Sequence, residues 1–234
     1  MFDPFLLLIT IVFMVVGMLV SAQLKSRFAK YSQERLSSGL SGKDVAEKML
    51  RDSGIYDVKV VSVEGQLTDH YNPANKVVNL SHDVYYGHHV AAAAVAAHEC
   101  GHAVQHATAY AWLGMRSKMV PVVQISSTLL GYLSMGMLFI GGMVHSMANS
   151  MLLLFIILQS VITLFSLVTL PVEVDASRRA LAWLNSSGLT HDYEHKEAKD
   201  ALKWAAYTYF VSALASIASL LYLIMRFMGN NRND

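Results

Sequence analysis

The chain has 234 residues, of which 54% are hydrophobic and 15% are charged, and its formal net charge is +1. Soluble domains carry about 25% charged residues, so this composition predicts an integral membrane protein rather than a soluble one. The net charge is near zero and no basic cluster is interleaved with aromatic residues, which argues against nucleic acid as a partner. The single cysteine, Cys100, excludes an intrachain disulfide framework.

Three apolar stretches accommodate four predicted membrane spans. The first, residues 4–22, has no charged residue and matches the roughly 20 residues of helix that cross a bilayer core. It lacks the basic flank of a signal peptide, so we expect an uncleaved anchor. The second stretch has 54 residues without Asp, Glu, Lys or Arg, too many for one span. The remaining predicted spans are residues 119–145, 150–170 and 207–228, with a polar turn at 145–150.

Basic residues indicate which side of the membrane each polar segment occupies. They concentrate in residues 23–118 and 171–206, whereas the turn at 145–150 contains none. Lys and Arg are enriched in cytoplasmic loops, so both polar segments are predicted to be cytoplasmic and both termini to lie outside. The sequence therefore predicts a multi-pass protein of mainly α class with a small α/β unit at the cytoplasmic face.

The first polar segment contains the signals for this α/β unit. Ser41 is a predicted N-cap of a helix that stops at Gly54. Residues 58–63 and 76–81 are predicted strands, and the alanine-rich residues 90–112 are a predicted helix. We expect the strand at 76–81 either to be an ordinary sheet strand or to offer its edge to an extended peptide substrate.

The predicted alanine-rich helix contains the motif His98-Glu99-Cys100-Gly101-His102, which matches H-E-x-x-H. Residues four apart share one face of a helix, so His98 and His102 can bind one zinc ion. Glu99 is offset from that face and can take a proton from water acidified by the metal, which identifies it as a candidate catalytic base. A histidine-rich helix can match the pattern by chance, so a third ligand is decisive.

Two acidic residues, Glu173 and Asp175, follow the third predicted span in a helix that we expect to begin at Pro171. Two spans separate them from the motif, so the topology returns them to the same side of the membrane. We expect Glu173 to be the third metal ligand and Asp175 to orient a ligand histidine. The alternative is that both are surface acids paired with Arg178 and Arg179.

The motifs HECGHAVQH and PVEVDASRRA, on a chain with four predicted spans, resemble the YugP-like neutral zinc metallopeptidases of bacterial membranes. The resemblance covers nearly the whole chain. It implies a membrane-embedded zinc endopeptidase of the bacterial plasma membrane, related in layout to the HtpX and CAAX prenyl protease types. It also implies a gluzincin-like site with His98, His102 and Glu173 as ligands of one zinc ion and Glu99 as the base.

One departure from the gluzincin pattern concerns the supporting acid. Gluzincin-type sites usually place an Asp four residues after the ligand Glu, whereas here Ser177 holds that position and Asp175 lies two residues after Glu173. The role of Asp175 stays open at this point.

Other residues near the motif have structural interpretations. His106 lies one turn past His102 and is a candidate hydrogen-bond donor rather than a ligand. Cys100 is expected to be a small buried residue, and Gly101 to permit the close approach of another backbone or of substrate. The histidines that precede the motif are expected in loops or caps; they are His82, His88 and His89.

Two other classes of function compete with the endopeptidase. An intramembrane site-2-type protease shares H-E-x-x-H, but it uses an Asp at membrane depth in an Asn-Pro-Asp-Gly-like segment, and this sequence has none. A zinc-binding membrane protein without proteolytic activity is the second class. A transporter would need ligands along the spans, where the second and third spans have no acid, whereas an inactive scaffold that retains zinc stays open. The expected partners are the lipid bilayer and a peptide or membrane-protein substrate.

Overall fold

The structure is a computed structural model that describes residues 4–140 and 148–230. Within those ranges the protein is mainly helical and contains one small mixed sheet, as the sequence predicts. The helices are α1 (Pro4–Tyr31), α2 (Gly42–Asp52), α3 (His82–Tyr86), α4 (Val90–Ala107), α5 (Ala111–Ile140), α6 (Ala148–Ser186) and α7 (Asp192–Asn230). The strands are β1 (Lys59–Val63), β2 (His70–Asn72) and β3 (Val77–Ser81).

In the part of the chain that the structure describes, four helices are long and apolar enough to cross a membrane: α1, α5, α6 and α7. This number agrees with the sequence prediction. Each of these helices, as far as the structure describes it, extends beyond the apolar segment that suggested a span; α1, for instance, continues to Tyr31. Half of the predicted turn at residues 145–150 lies outside the described part of the chain, and residues 148–150 are the start of α6.

The expectation that a helix begins at Pro171 is wrong. Helix α6 runs through Pro171 from Ala148 to Ser186, and α5 likewise contains Pro121. A proline lacks only its own backbone N–H, and in long apolar helices neighbouring groups compensate for that loss. Glu173 therefore lies on the same helix as the third candidate span.

The chain divides into two compact units. One comprises residues 1–19, 115–170 and 208–234, and the other comprises residues 20–114 and 171–207. The second unit contains the sheet and helices α2, α3 and α4, together with the ends of the longer helices. Every residue that the sequence predicts for the metal site belongs to this second unit.

The sheet has the strand order β1-β3-β2, so β3 is its central strand. Strand β1 pairs with β3 in parallel and β2 pairs with β3 in the antiparallel direction, with Tyr71 opposite Val78. The proposal that residues 76–81 offer an edge to substrate is therefore wrong, because both edges of that strand are already paired. Strand β2 was not predicted, because its three polar residues show no alternation of apolar and polar side chains. It forms a strand only by pairing with β3.

Helix α4 is shorter than the predicted helix over residues 90–112. It ends at Ala107, because Ala109 adopts a left-handed φ of 51° and Thr108 Oγ1 donates to the carbonyl of Val104. At its start, His89 is the N-cap and its Nδ1 accepts a hydrogen bond from the N–H of Ala92. His89 is therefore a cap, as expected.

Small side chains allow α4 to be buried on nearly all sides. Its buried residues include six alanines from Ala91 to Ala97, and five of them pack with α2 and β3 in one hydrophobic core. Val78 and Leu80 of β3 and Met49 of α2 contribute large side chains to that core. The motif helix is thus held by packing from several elements, which limits the freedom of its histidines.

Helix α2 begins and ends where the sequence predicts. Ser41 Oγ accepts from the N–H of Asp44, and the Asp44 carboxylate accepts from the N–H of Ser41 at 3.0 Å, which forms a capping box. At the other end the cap residue is Ser53, and Gly54 adopts a left-handed φ of 71°. The capping box fixes the start of a helix whose apolar face packs against α4.

Replacing Ser41 by Ala should destabilise the folded protein by about 1 kcal/mol, because an N-cap side chain is lost. Hydrogen bonds from Ser41 lower the pKa of Asp44 below its usual 3.8. The charge-dependent part of this stabilisation is present above pH 3.8 and is lost as the pH falls through the lowered pKa. Thermal denaturation of the detergent-purified chain at neutral and acidic pH measures both effects.

The matched control is Ser53→Ala at the exposed C-terminal end of the same helix, which should leave the melting temperature close to that of the wild type. A Ser41→Ala melting curve that coincides with the control would contradict the role of the capping box.

Candidate metal centre

Two helices bring three metal-binding side chains together. His98 and His102 lie one turn apart on α4, and Glu173 lies on α6. Glu173 Oε2 is 3.3 Å from His98 Nε2 and 3.6 Å from His102 Nε2, and one ligand atom from each of the three residues lies within 4.8 Å of the others. Glu173 is only 2% exposed. The structure thus joins the three side chains that the sequence marked as candidate ligands.

The spacing of these atoms fits a zinc ion. Ligand atoms about 2.0–2.1 Å from a tetrahedral zinc ion lie about 3.4 Å from one another. The two separations to Glu173 Oε2 bracket that value. Two imidazole nitrogens and one carboxylate also form a donor set of catalytic zinc sites, in which a fourth position stays open. The residues present therefore suit zinc in both chemistry and spacing.

Gly101 explains how the two helices approach so closely. A Cβ atom at this position would lie 2.6 Å from the carbonyl oxygen of Ala176 on α6 and 3.1 Å from its Cα. Such distances are shorter than van der Waals contact, so only glycine permits this crossing. The glycine of the motif is thus needed for the approach of another backbone, which is one of the two expectations for it.

Glu99 follows His98 on α4, and a backbone group holds its carboxylate. Its Oε2 accepts a hydrogen bond of 3.0 Å from the N–H of Tyr71 in β2, and its side chain is mostly buried. It does not belong to the cluster of three ligand atoms. Sequence reasoning identified Glu99 but missed the strand that holds it.

Each imidazole of the two candidate ligands has a partner at its other ring nitrogen. His98 Nδ1 lies 3.1 Å from Ser177 Oγ, and His102 Nδ1 lies 3.0 Å from Gln105 Oε1. These contacts leave the Nε2 atoms directed toward Glu173. Neither partner was assigned a role from the sequence, although Ser177 stands four residues after Glu173, where a supporting acid was expected.

Asp175 is connected to the site through Gln105. It is 5% exposed, accepts a hydrogen bond of 3.0 Å from Gln105 Nε2 and forms ion pairs with Arg178 and Arg179. The surface-acid alternative correctly names the arginine partners of Asp175, but both acids are buried rather than at the surface.

The remaining residues singled out from the sequence lie outside the cluster. His106 Nδ1 is 2.8 Å from the hydroxyl of Tyr71, and His88 Nδ1 is 2.8 Å from the carbonyl oxygen of Gly39. Cys100 is fully buried, its thiol faces the carbonyl of Ala46, and burial raises its pKa. His82 is exposed at the start of α3. The positions of Cys100 and His88 agree with the interpretations given to them, whereas His82 is the first residue of α3 and not a loop or cap residue.

Residues 6–228 match the family described as "Putative neutral zinc metallopeptidase". The chain belongs to this family. It is 42% identical over 212 residues to a protein of Bacillus subtilis (strain 168) named "Putative membrane protease YugP", and the alignment covers 91% of each chain. No solved structure matches the chain. The family resemblance stated from the motifs is therefore confirmed.

Replacing Gly101 by Ala should separate α4 from α6 and weaken zinc retention, because the new methyl group overlaps the Ala176 backbone. Overpacking of this kind typically costs about 1–3 kcal/mol. Elemental analysis and thermal denaturation of the detergent-purified chain measure zinc content and stability.

Gly114→Ala serves as the control, since a Cβ at that position meets no atom within 4 Å. It should retain zinc and melt at or slightly above the wild-type temperature. Equal zinc contents and melting temperatures in the two variants would show that the helix crossing tolerates a side chain.

Proposed function

We propose that this protein is a membrane-embedded zinc metalloendopeptidase. The observation that carries the proposal is the convergence of His98, His102 and Glu173, with Glu99 next to His98 on the same helix. Two comparisons support the same interpretation: the chain belongs to the family described as "Putative neutral zinc metallopeptidase", and its relative is named "Putative membrane protease YugP". The four apolar helices account for the membrane location.

His98 and His102 would bind one zinc ion through Nε2, and Glu173 would bind it through a carboxylate oxygen. When bound, zinc acidifies water and polarises a peptide carbonyl as a Lewis acid. Ser177 and Gln105 contact the two imidazoles at Nδ1, so that both rings direct Nε2 toward Glu173.

Glu99 would act as the general base and then as the general acid. Its carboxylate takes a proton from the attacking water and transfers that proton to the leaving amine of the peptide. The N–H of Tyr71 fixes Oε2, so Oε1 is the oxygen placed to carry the proton. Because Glu99 is not one of the three ligand side chains, it can change its protonation state without releasing the metal.

The active site would lie on the cytoplasmic face of a bacterial plasma membrane. Fourteen of the eighteen Lys and Arg residues belong to the unit that contains the site, and such residues favour the cytoplasmic side. The relative from a bacterium is named a membrane protease. The substrate class that fits is a peptide or a membrane protein that reaches this face.

Two substitutions separate metal binding from catalysis. Glu99→Gln should keep about one zinc ion per chain and lose hydrolysis of labelled casein by at least about 100-fold, because the base is removed but the ligands remain. Glu173→Ala should lose both zinc and hydrolysis, because one of three protein ligands is missing. Elemental analysis and a fluorescence assay on detergent-purified protein give the two readouts.

Glu64→Gln is the matched control, since Glu64 is exposed in the turn after β1 and lies outside the ligand cluster. It should behave as wild type in both assays. Hydrolysis by Glu99→Gln at the wild-type rate would refute the assigned base. Zinc retained by Glu173→Ala would remove Glu173 from the ligand set, and zinc bound without any hydrolysis by wild type would favour a scaffold or a transporter.

The orientation is tested with single cysteines and a membrane-impermeant maleimide. Ser53→Cys and Ser186→Cys are exposed positions of the unit that contains the site, and they should react only after the cells are lysed. A cysteine added after Asp234 should react in intact cells, because both termini are predicted to lie outside. Native Cys100 is buried and contributes little background. The reverse labelling pattern would place the site on the outer face.

A further inference from the structure

Gln105 is a fully buried polar side chain between the candidate metal centre and α6. Its Oε1 lies 3.0 Å from His102 Nδ1. Its Nε2 donates to the carbonyl oxygen of Val172 at 2.8 Å and to Asp175 Oδ2 at 3.0 Å. Both ends of one amide are thus occupied, one by a ligand imidazole and the other by two acceptors on α6.

The chemistry of these partners determines the orientation of the amide. A backbone carbonyl and a carboxylate only accept hydrogen bonds, so the end of Gln105 that faces them must be the NH₂ group. The other end is then the carbonyl oxygen, which also only accepts. His102 must therefore carry its proton on Nδ1, and its Nε2 keeps the lone pair that faces Glu173.

Asp175 is held in place by two cations. Arg178 and Arg179 both pair with its carboxylate, and Arg179 also lies over the ring of Tyr110 at 5.6 Å from the ring centroid. These contacts keep an acceptor directed at Gln105 Nε2. The buried carboxylate thus acts on the imidazole across an intervening amide rather than by direct contact.

His98 has a different kind of support. Its Nδ1 faces Ser177 Oγ, and a hydroxyl can either donate or accept. Ser177 therefore leaves the tautomer of His98 undetermined, whereas Gln105 determines that of His102. The two ligand histidines are unequal in this respect.

We propose that Gln105 is a positioning residue for the metal centre. It holds His102 in the tautomer that binds metal through Nε2, and its amide connects that ring to the carboxylate of Asp175. The proposal rests on the zinc site of the proposed function. It gives Asp175 a role that its spacing from Glu173 left open.

The experiment measures the zinc dissociation constant of the full detergent-purified chain by competition with a chromophoric chelator. Gln105→Met keeps the length and helix propensity of the side chain but removes both ends of the amide. We expect its dissociation constant to rise about 10- to 100-fold, as is typical when the hydrogen-bond partner of a ligand histidine is lost.

Variants of Asp175 supply a rescue and a double-mutant cycle. Asp175→Asn retains an oxygen that accepts from Gln105, so it should bind zinc nearly as tightly as wild type. Asp175→Ala should weaken zinc binding. The double variant of Asp175→Ala and Gln105→Met should lose no more zinc affinity than Gln105→Met alone, because Asp175 acts on His102 through Gln105. Ser41→Ala, which destabilises α2 away from the site, should leave the zinc dissociation constant unchanged.

Several outcomes overturn the proposal. A Gln105→Met chain that binds zinc as tightly as wild type refutes it. The proposal is also refuted if Ser41→Ala weakens zinc binding as much as Gln105→Met does when both variants lower the melting temperature of the metal-free protein equally. If the losses of zinc affinity add up in the double variant, Gln105 and Asp175 act independently, which contradicts the proposal. A histidine ¹⁵N spectrum of the zinc-loaded chain that shows His102 bound through Nδ1 contradicts the proposed tautomer. A wild-type chain that binds no zinc refutes the proposed function as well, which distinguishes the two failures.

Discussion

The candidate metal centre depends on the backbone contact between α4 and α6 at Gly101 and Ala176. His98 lies three residues before Gly101, and Glu173 lies three residues before Ala176, so each ligand is about one turn from the contact point. Ser177, next to Ala176, reaches the Nδ1 atom of His98. Because the main chains touch at this point, the short carboxylate of Glu173 can reach imidazoles on the other helix.

The site is surrounded by polar supports that come from different elements. A strand supplies the N–H that holds Glu99, α6 supplies the hydroxyl next to His98, and α4 itself supplies the amide next to His102. Burial makes such partners necessary, since a polar atom without one loses its hydration at a cost of about 1–3 kcal/mol. The alanines of α4 make this burial possible, because they let neighbouring elements approach the motif helix closely.

Local signals were sufficient for some of these features. The number of candidate spans follows from the length of the apolar runs, the bounds of α2 from Ser41 and Gly54, and the pairing of His98 with His102 from the helical period. These properties depend on residues close in sequence, which is why the chain alone reveals them.

Features that depend on pairing between distant segments were not accessible in the same way. The central position of β3 in the sheet and the formation of β2 from three polar residues both depend on pairing between strands. Gln105 and Ser177 acquire their partners only when α4 and α6 cross. Pro171 was interpreted by its usual position in short helices, but the long apolar helix continues through it.

The separation of Glu173 from the histidines has a consequence for biosynthesis. The ribosome completes His98 and His102 about seventy residues before it adds Glu173, and the intervening chain includes the second and third predicted spans. Two imidazoles alone make a poor zinc site, so the proposed zinc centre would form only after α6 has been synthesised and has met α4. The proposed protease would therefore be inactive during the insertion of its earlier spans.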